Sequence, residues 1–148
     1  MQQPHELLKG FPVFVTVPVQ WGDQDALGHV NNTVYLRWAE SSRIEYLIRI
    51  GLWQRLDTER IGPIIASVSC NYRRPVTYPD TVHAGARITA VGNSSFRMEH
   101  VIVSAGLNVV VADLDSTLVL LDYATNKPLR VPDEMREAIR TLEQNGPR

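Results

Sequence analysis

The sequence predicts an α+β fold in which an antiparallel β-sheet wraps around one long central α-helix. Three observations lead there. The run over 32–50 is rich in apolar residues, holds no proline or glycine, and stops at Gly51, as a long helix with a glycine terminator would. After Gly62-Pro63 the chain favours β-branched residues, interrupted only by short turn signals. A helix apolar on more than one side must be buried, and a sheet is the surface that can bury it.

The elements follow in order. Residues 1–10 are polar and read as loose. Over 13–21 the odd positions are Val13, Val15, Val17, Val19 and Trp21, with Thr16, Pro18 and Gln20 between them. This period of two predicts a strand with one buried face. Phe14 breaks the alternation. Pro18 marks an edge position or a bulge, because proline cannot donate to a ladder. In the helix, Val34, Tyr35, Leu36, Trp38, Ala39, Ile44, Tyr46, Leu47, Ile48 and Ile50 cover more than one stripe, so the helix is expected to be largely buried. Glu40 and Arg43 are spaced to pair on its surface.

Residues 52–61 read as a short helical or irregular connection, and 64–72 as a strand. Tyr78-Pro79-Asp80 is a turn signal. Two strands over 82–91 and 96–104 flank the hairpin Gly92-Asn93-Ser94-Ser95. The turn Ala105-Gly106-Leu107-Asn108 leads into a strand over 109–121. Strands on short turns imply an antiparallel meander. Residues 122–132 read as a loop and 133–144 as a closing helix capped by Asp133.

A length of 148 residues fits one domain, with 44% hydrophobic and 21% charged residues, ordinary for a globular protein. A net charge of −1 argues against a nucleic-acid partner, which calls for a basic face. The single Cys70 excludes an internal disulfide, and the four histidines show no metal-ligand spacing. No cofactor or metal is expected. The apolar segment 11–21 follows Lys9, but Pro12 and Pro18 interrupt it and no small-residue cleavage site follows. No run reaches the ~20 apolar residues of a membrane span. The expectation is a cytoplasmic protein without a membrane partner.

Chemistry concentrates at the strand–helix junction. Asp23, Asp25, His29, Asn31 and Asn32 fall within ten residues. Asn31, Asn32 and Thr33 are candidate caps, and a helix start offers unpaired N–H groups to an anion or a polarised carbonyl. Gly28 permits a sharp bend or a close approach to a ligand. Asp25, just before the helix start, suits a nucleophile or general base. The same residue types also make ordinary turns, and an Asx-turn is the structural alternative for Asp25.

Asp23-Gln-Asp-Ala-Leu-Gly-His-Val-Asn-Asn32, followed by Tyr35, Glu40 and Arg43, resembles the signature of hotdog-fold acyl-CoA thioesterases, the 4-hydroxybenzoyl-CoA thioesterase-like branch in particular. The segment from Asn71 to Asp80 and Ser94-Ser95-Phe96 fit the same pattern. The resemblance implies the hotdog fold, hydrolysis of a thioester to a carboxylic acid and CoA, and a homodimer or homotetramer with sites at subunit interfaces. It implies that Asp25 attacks the carbonyl or activates water, while the Asn32 backbone amide polarises the carbonyl.

His29 orients the site or is a hydrogen-bonded loop histidine. Asp23, two residues from Asp25, is structural. Gly28, Asn31 and Tyr35 are candidate substrate contacts, although core is the commoner fate of such a tyrosine. Arg73 and Arg74 suit the CoA phosphates or a solvated strand end. Ser94 and Ser95 lie where some relatives carry basic residues for phosphate; those charges are absent, which leaves acyl-carrier-protein thioesters open. Another hotdog branch carries its carboxylate on the central helix, which makes Glu40 a lesser candidate. Hotdog hydratases and dehydratases use Gly-Asp-x-Asn-Pro-x-His-x-Asp, and here the Asn-Pro is missing and Asn31 replaces the final acid. A non-catalytic acyl-binding protein on the same scaffold is the remaining class.

Overall fold

The computed structural model describes residues 4–144. Its elements are α1 (Pro4–Leu7), β1 (Val13–Pro18), a 3-10 turn (Trp21–Asp23), α2 (Asn32–Arg49), α3 (Leu52–Glu59), β2 (Ile61–Tyr72), β3 (Thr81–Val91), β4 (Ser95–Ser104), β5 (Val109–Asp122), β6 (Lys127–Pro128) and α4 (Asp133–Gln144). The sheet is antiparallel in the order β1-β3-β4-β5-β2, with β6 added on β5. Register shifts in β2, β3 and along the β4–β5 pairing bend it, so that it curls around α2. This is the hotdog arrangement. Among the described residues no helix is long and apolar enough to cross a membrane.

Pro18 and Pro63 are both tolerated because β1 and β2 are the two edges. That is why β2 starts at Ile61 rather than beyond Gly62-Pro63. β1 stops at Pro18, and Trp21, expected on its buried face, is 74% exposed. Residues 1–3 of the lead-in lie outside the described part. The rest of it is not loose: α1 and the residues after it lay Leu8 and Phe11 on Val101 and Val103, on the outer face of the sheet. Residues 127–128 of the expected loop pair with β5. Asp133 does not cap: it is the first residue of α4, and its carboxylate takes Arg130 at 3.0 Å.

α2 departs from expectation in an instructive way. Its buried residues are Val34, Tyr35, Trp38, Ala39, Ser42, Arg43, Tyr46 and Leu47, one broad stripe rather than several faces. Leu36 and Ile48 remain 36% and 38% exposed, because the helix rests on β3, β1 and β4, with α3 beside it, and these do not enclose it among the described residues. The stripe includes Arg43, which is 6% exposed and whose Nε has no acceptor. It therefore makes no surface pair with Glu40, and burial lowers its pKa. Beside it, Ser42 Oγ lies 3.0 Å from Nδ1 of the buried His100, whose pKa burial pulls down to about 3. Gly51, at φ 81°, ends α2 as expected. At the other end of the chain, Glu143 of α4 accepts from the Tyr46 hydroxyl at 2.5 Å and from Ile88 N–H, beside the β3 bulge, at 2.9 Å.

Candidate active site

The loop between β1 and α2 is built by its own side chains. Asp23 is structural: its carboxylate accepts from Gln20 N–H at 2.8 Å, and its carbonyl accepts from Asn31 N–H at 2.9 Å. Residues 25–28 form a tight turn closed by Gly28 N–H on the Asp25 carbonyl at 3.1 Å. Gly28 sits at φ 81°, a backbone conformation that L side chains rarely adopt, so the bend calls for glycine. Asp25 Oδ1 accepts from Leu27 N–H at 2.8 Å and from His29 N–H at 3.4 Å. The Asx-turn is therefore real. It also holds the carboxylate in one orientation and leaves Oδ2 unengaged among the described residues.

The first turn of α2 can be accounted for bond by bond. Asn31 caps it: its Oδ1 accepts from Thr33 N–H at 3.0 Å and from the Thr33 hydroxyl at 3.0 Å, and its carbonyl takes Val34 N–H at 2.9 Å. Among the described residues, no group accepts from the Asn32 N–H. This amide is an available donor at the positive end of an 18-residue helix.

Asp25, His29, Val30, Asn32, Tyr35, Tyr72, Arg73, Arg74 and Pro75 line one cavity of about 300 Å³. Six of the residues singled out from sequence meet there. Asn31 and Gly28 shape the loop without lining the cavity. Ser94 and Ser95 belong to the hairpin at the opposite end of the sheet: β3 runs from Thr81, beside Pro18, to Val91, beside that hairpin. Glu40 is exposed on α2 and does not line the cavity.

Tyr35 is 2% exposed, and its hydroxyl accepts from Val76 N–H at 3.1 Å and donates to the Arg74 carbonyl at 3.2 Å. The core role therefore holds for most of this side chain, and burial raises its pKa. Arg73 is engaged by Asp113 at 2.8 Å, which lowers the Asp113 pKa. Arg74, which lines the cavity, has no carboxylate partner within salt-bridge distance among the described residues.

Val30, Pro75 and above all Tyr72 were not singled out. Tyr72 donates its hydroxyl to the Asn32 carbonyl at 3.0 Å and sets its ring edge-on to Tyr35, centroids 5.1 Å apart. The signal was strand alternation: Tyr72 falls in step with Val68 and Cys70 on the helix side of β2.

A model of the thioesterase-like superfamily matches residues 19–139. The long-chain acyl-CoA thioesterase FadM of Escherichia coli is 29% identical over 80% of this chain and 89% of its own length. The crystal structure of a Thermus thermophilus thioesterase complexed with coenzyme A and Zn is 37% identical, with a TM-score of 0.81, over 92% of this chain and 97% of that one. A DHNA-CoA thioesterase from Staphylococcus aureus, 16% identical at a TM-score of 0.79 over 89% and 91% of the two chains, shares the fold.

Proposed function

The chain belongs to the thioesterase-like superfamily and is a thioester hydrolase; from that premise we propose that it converts an acyl-CoA and water to a carboxylic acid and CoA. One observation carries the residue assignment: Asp25, with its Oδ2 unengaged, and Asn32, with its N–H unengaged, line the same cavity. Asp25 Oδ2 attacks the thioester carbonyl, or takes a proton from the water that does. Charge grows on the carbonyl oxygen as the tetrahedral centre forms, and a fixed amide at a helix start stabilises it, commonly by about 3 kcal/mol for a single donor. The C–S bond then breaks and CoA leaves as thiolate, a fair leaving group that needs no strong acid; on the nucleophilic route water then cleaves the Asp25–acyl anhydride, which frees the carboxylic acid and restores the Asp25 carboxylate. His29 lines the same cavity and orients the reacting groups, and Arg74 offers its charge to a CoA phosphate.

The working unit is a homo-oligomer. β2 is an edge strand, and Ile65, Val68 and Tyr72 on its helix side are 45%, 44% and 43% exposed. An apolar edge of this kind invites a second copy. Antiparallel pairing of β2 with its copy would bring that copy's hairpin, with its Ser94 and Ser95, to the Tyr72 end of the strand. This is the arrangement in which the two serines could touch substrate.

The test is thiol release from a panel of acyl-CoAs of varied chain length and aromatic character, with one acyl-carrier-protein thioester. Asp25→Asn should lower kcat by about 10²–10⁴ with thermal stability kept. Hydrolysis unchanged in that variant removes Asp25 from the mechanism. Single-turnover hydrolysis in oxygen-18 water then separates attack from general-base catalysis: label entering Asp25 indicates the first.

A further inference from the structure

We propose that Tyr72 is a positioning residue for the oxyanion-binding amide, acting through the carbonyl of Asn32. The inference rests on the mechanism above and adds to it a residue on a different element.

Asn32 is the first residue of α2. First turns lack the intrahelical bonds that hold the middle of a helix, so an amide there keeps its aim only if something outside the helix fixes it. The bonds from Asn31 to Thr33 and Val34 tie the first turn to its own cap. The cap is tied in turn to its loop by Asn31 N–H on the Asp23 carbonyl at 2.9 Å, and Val30 N–H bonds the Val76 carbonyl at 2.8 Å, but none of these bonds holds a group of Asn32 itself. The Tyr72 hydroxyl is different in kind: from the last residue of β2 it reaches across the cavity wall and donates to the Asn32 carbonyl at 3.0 Å. The residue whose N–H lacks an acceptor is thus the one whose C=O is pinned to the sheet.

The pin is itself braced. Tyr72 stands edge-on to Tyr35 at 84°, and the Tyr35 hydroxyl is clamped between Arg74 and Val76 on the chain that leaves β2. The ring of Tyr72 thus packs against a neighbour that is itself held in place. Burial raises the Tyr72 pKa, which keeps the hydroxyl a donor at neutral pH. A tyrosine that only lined the cavity would need its ring and not its hydroxyl.

Tyr72→Phe separates the two roles, since it keeps the ring and its edge contact and removes one O–H. Small misplacement of a catalytic group costs up to about a hundredfold. The expected result is a kcat lower by roughly tenfold to a hundredfold with KM for the best acyl-CoA within about twofold. Binding of a fluoromethyl-ketone analogue of that acyl-CoA, whose hydrated carbon mimics the tetrahedral centre, should weaken by the same factor while the Kd of CoA stays constant. A kcat equal to wild type, or a raised KM with kcat unchanged, overturns the proposal and leaves Tyr72 as cavity lining. Asp25→Asn is run in the same assay. If that variant is inactive and Tyr72→Phe is not impaired, the positioning role alone falls; if Asp25→Asn remains fully active, the mechanism falls and the positioning role with it.

Discussion

The two halves of the sheet face that looks toward α2 differ sharply. Under the helix, Val82, Ala84 and Ile102 are 0% exposed. On the same face two strands further on, Ile65, Val68 and Tyr72 are between 43% and 45% exposed. Composition does not separate them, since both halves are apolar. Width does. A helix with its side chains is about 10–12 Å across and strands lie about 4.8 Å apart. One helix therefore covers two or three strands, and a five-stranded row has room for a second. The covered half is a finished core, and the bare half leaves its apolar side chains in the open.

Substitutions can sharpen or break this contrast. Ile102→Ala, under the helix, should cost about 2–5 kcal/mol in urea unfolding, whereas Val68→Ala, measured at a dilution where the chain is monomeric, should cost under about 1 kcal/mol. Equal costs would mean that both halves are already covered in one chain. Protons probe the covered half in a second way. His100 is held neutral with a pKa near 3 against an ordinary value of 6.5. Its folded-state pKa is lowered, so the unfolded chain binds the extra proton first. Stability contributed by the neutral ring is full above pH 6.5 and falls as pH drops toward 3, at up to about 1.4 kcal/mol per pH unit. His100→Gln should flatten that part of the pH–stability curve.

Val68→Asp tests the bare half directly. A carboxylate there should shift the oligomer to monomer in sedimentation velocity, by at least about tenfold in Kd, and activity should follow. Asp in place of Ile64, whose partner Val119 lies on the outer face, should leave assembly intact. A modest effect is expected at the start of α2: Asn31→Ala removes the cap of the helix and should cost about 1 kcal/mol, read as a lower melting temperature with oligomeric state unchanged.

What the sequence revealed follows the range of the forces involved. The helix, its glycine stop, the meander and the site loop are written in local spacing, and Asp25, His29 and Asn32 fall within one such local unit. Arg43 misled because spacing says that it can reach Glu40, while only the position of the sheet says that it is buried. Tyr72 escaped because its partner Asn32 is 40 residues away. Ser94 and Ser95 sit in a hairpin that local signals place correctly, yet its distance from the cavity depends on strand order, which no local signal contains. Pro63 shows the same limit: it reads as a strand breaker until β2 is known to be an edge.

The carboxylate of Glu143 has a consequence for how the molecule is completed. It receives the phenol of Tyr46 and the amide of Ile88, two donors that face the interior and belong to the first two thirds of the chain. A polypeptide emerging in order holds both donors unsatisfied until its closing turns arrive, so the final helix acts as a bolt on a door already hung. Trimming that helix would remove the shared acceptor of both bonds, and the damage would be felt at the far end of α2 before it reached the loop of Asp25.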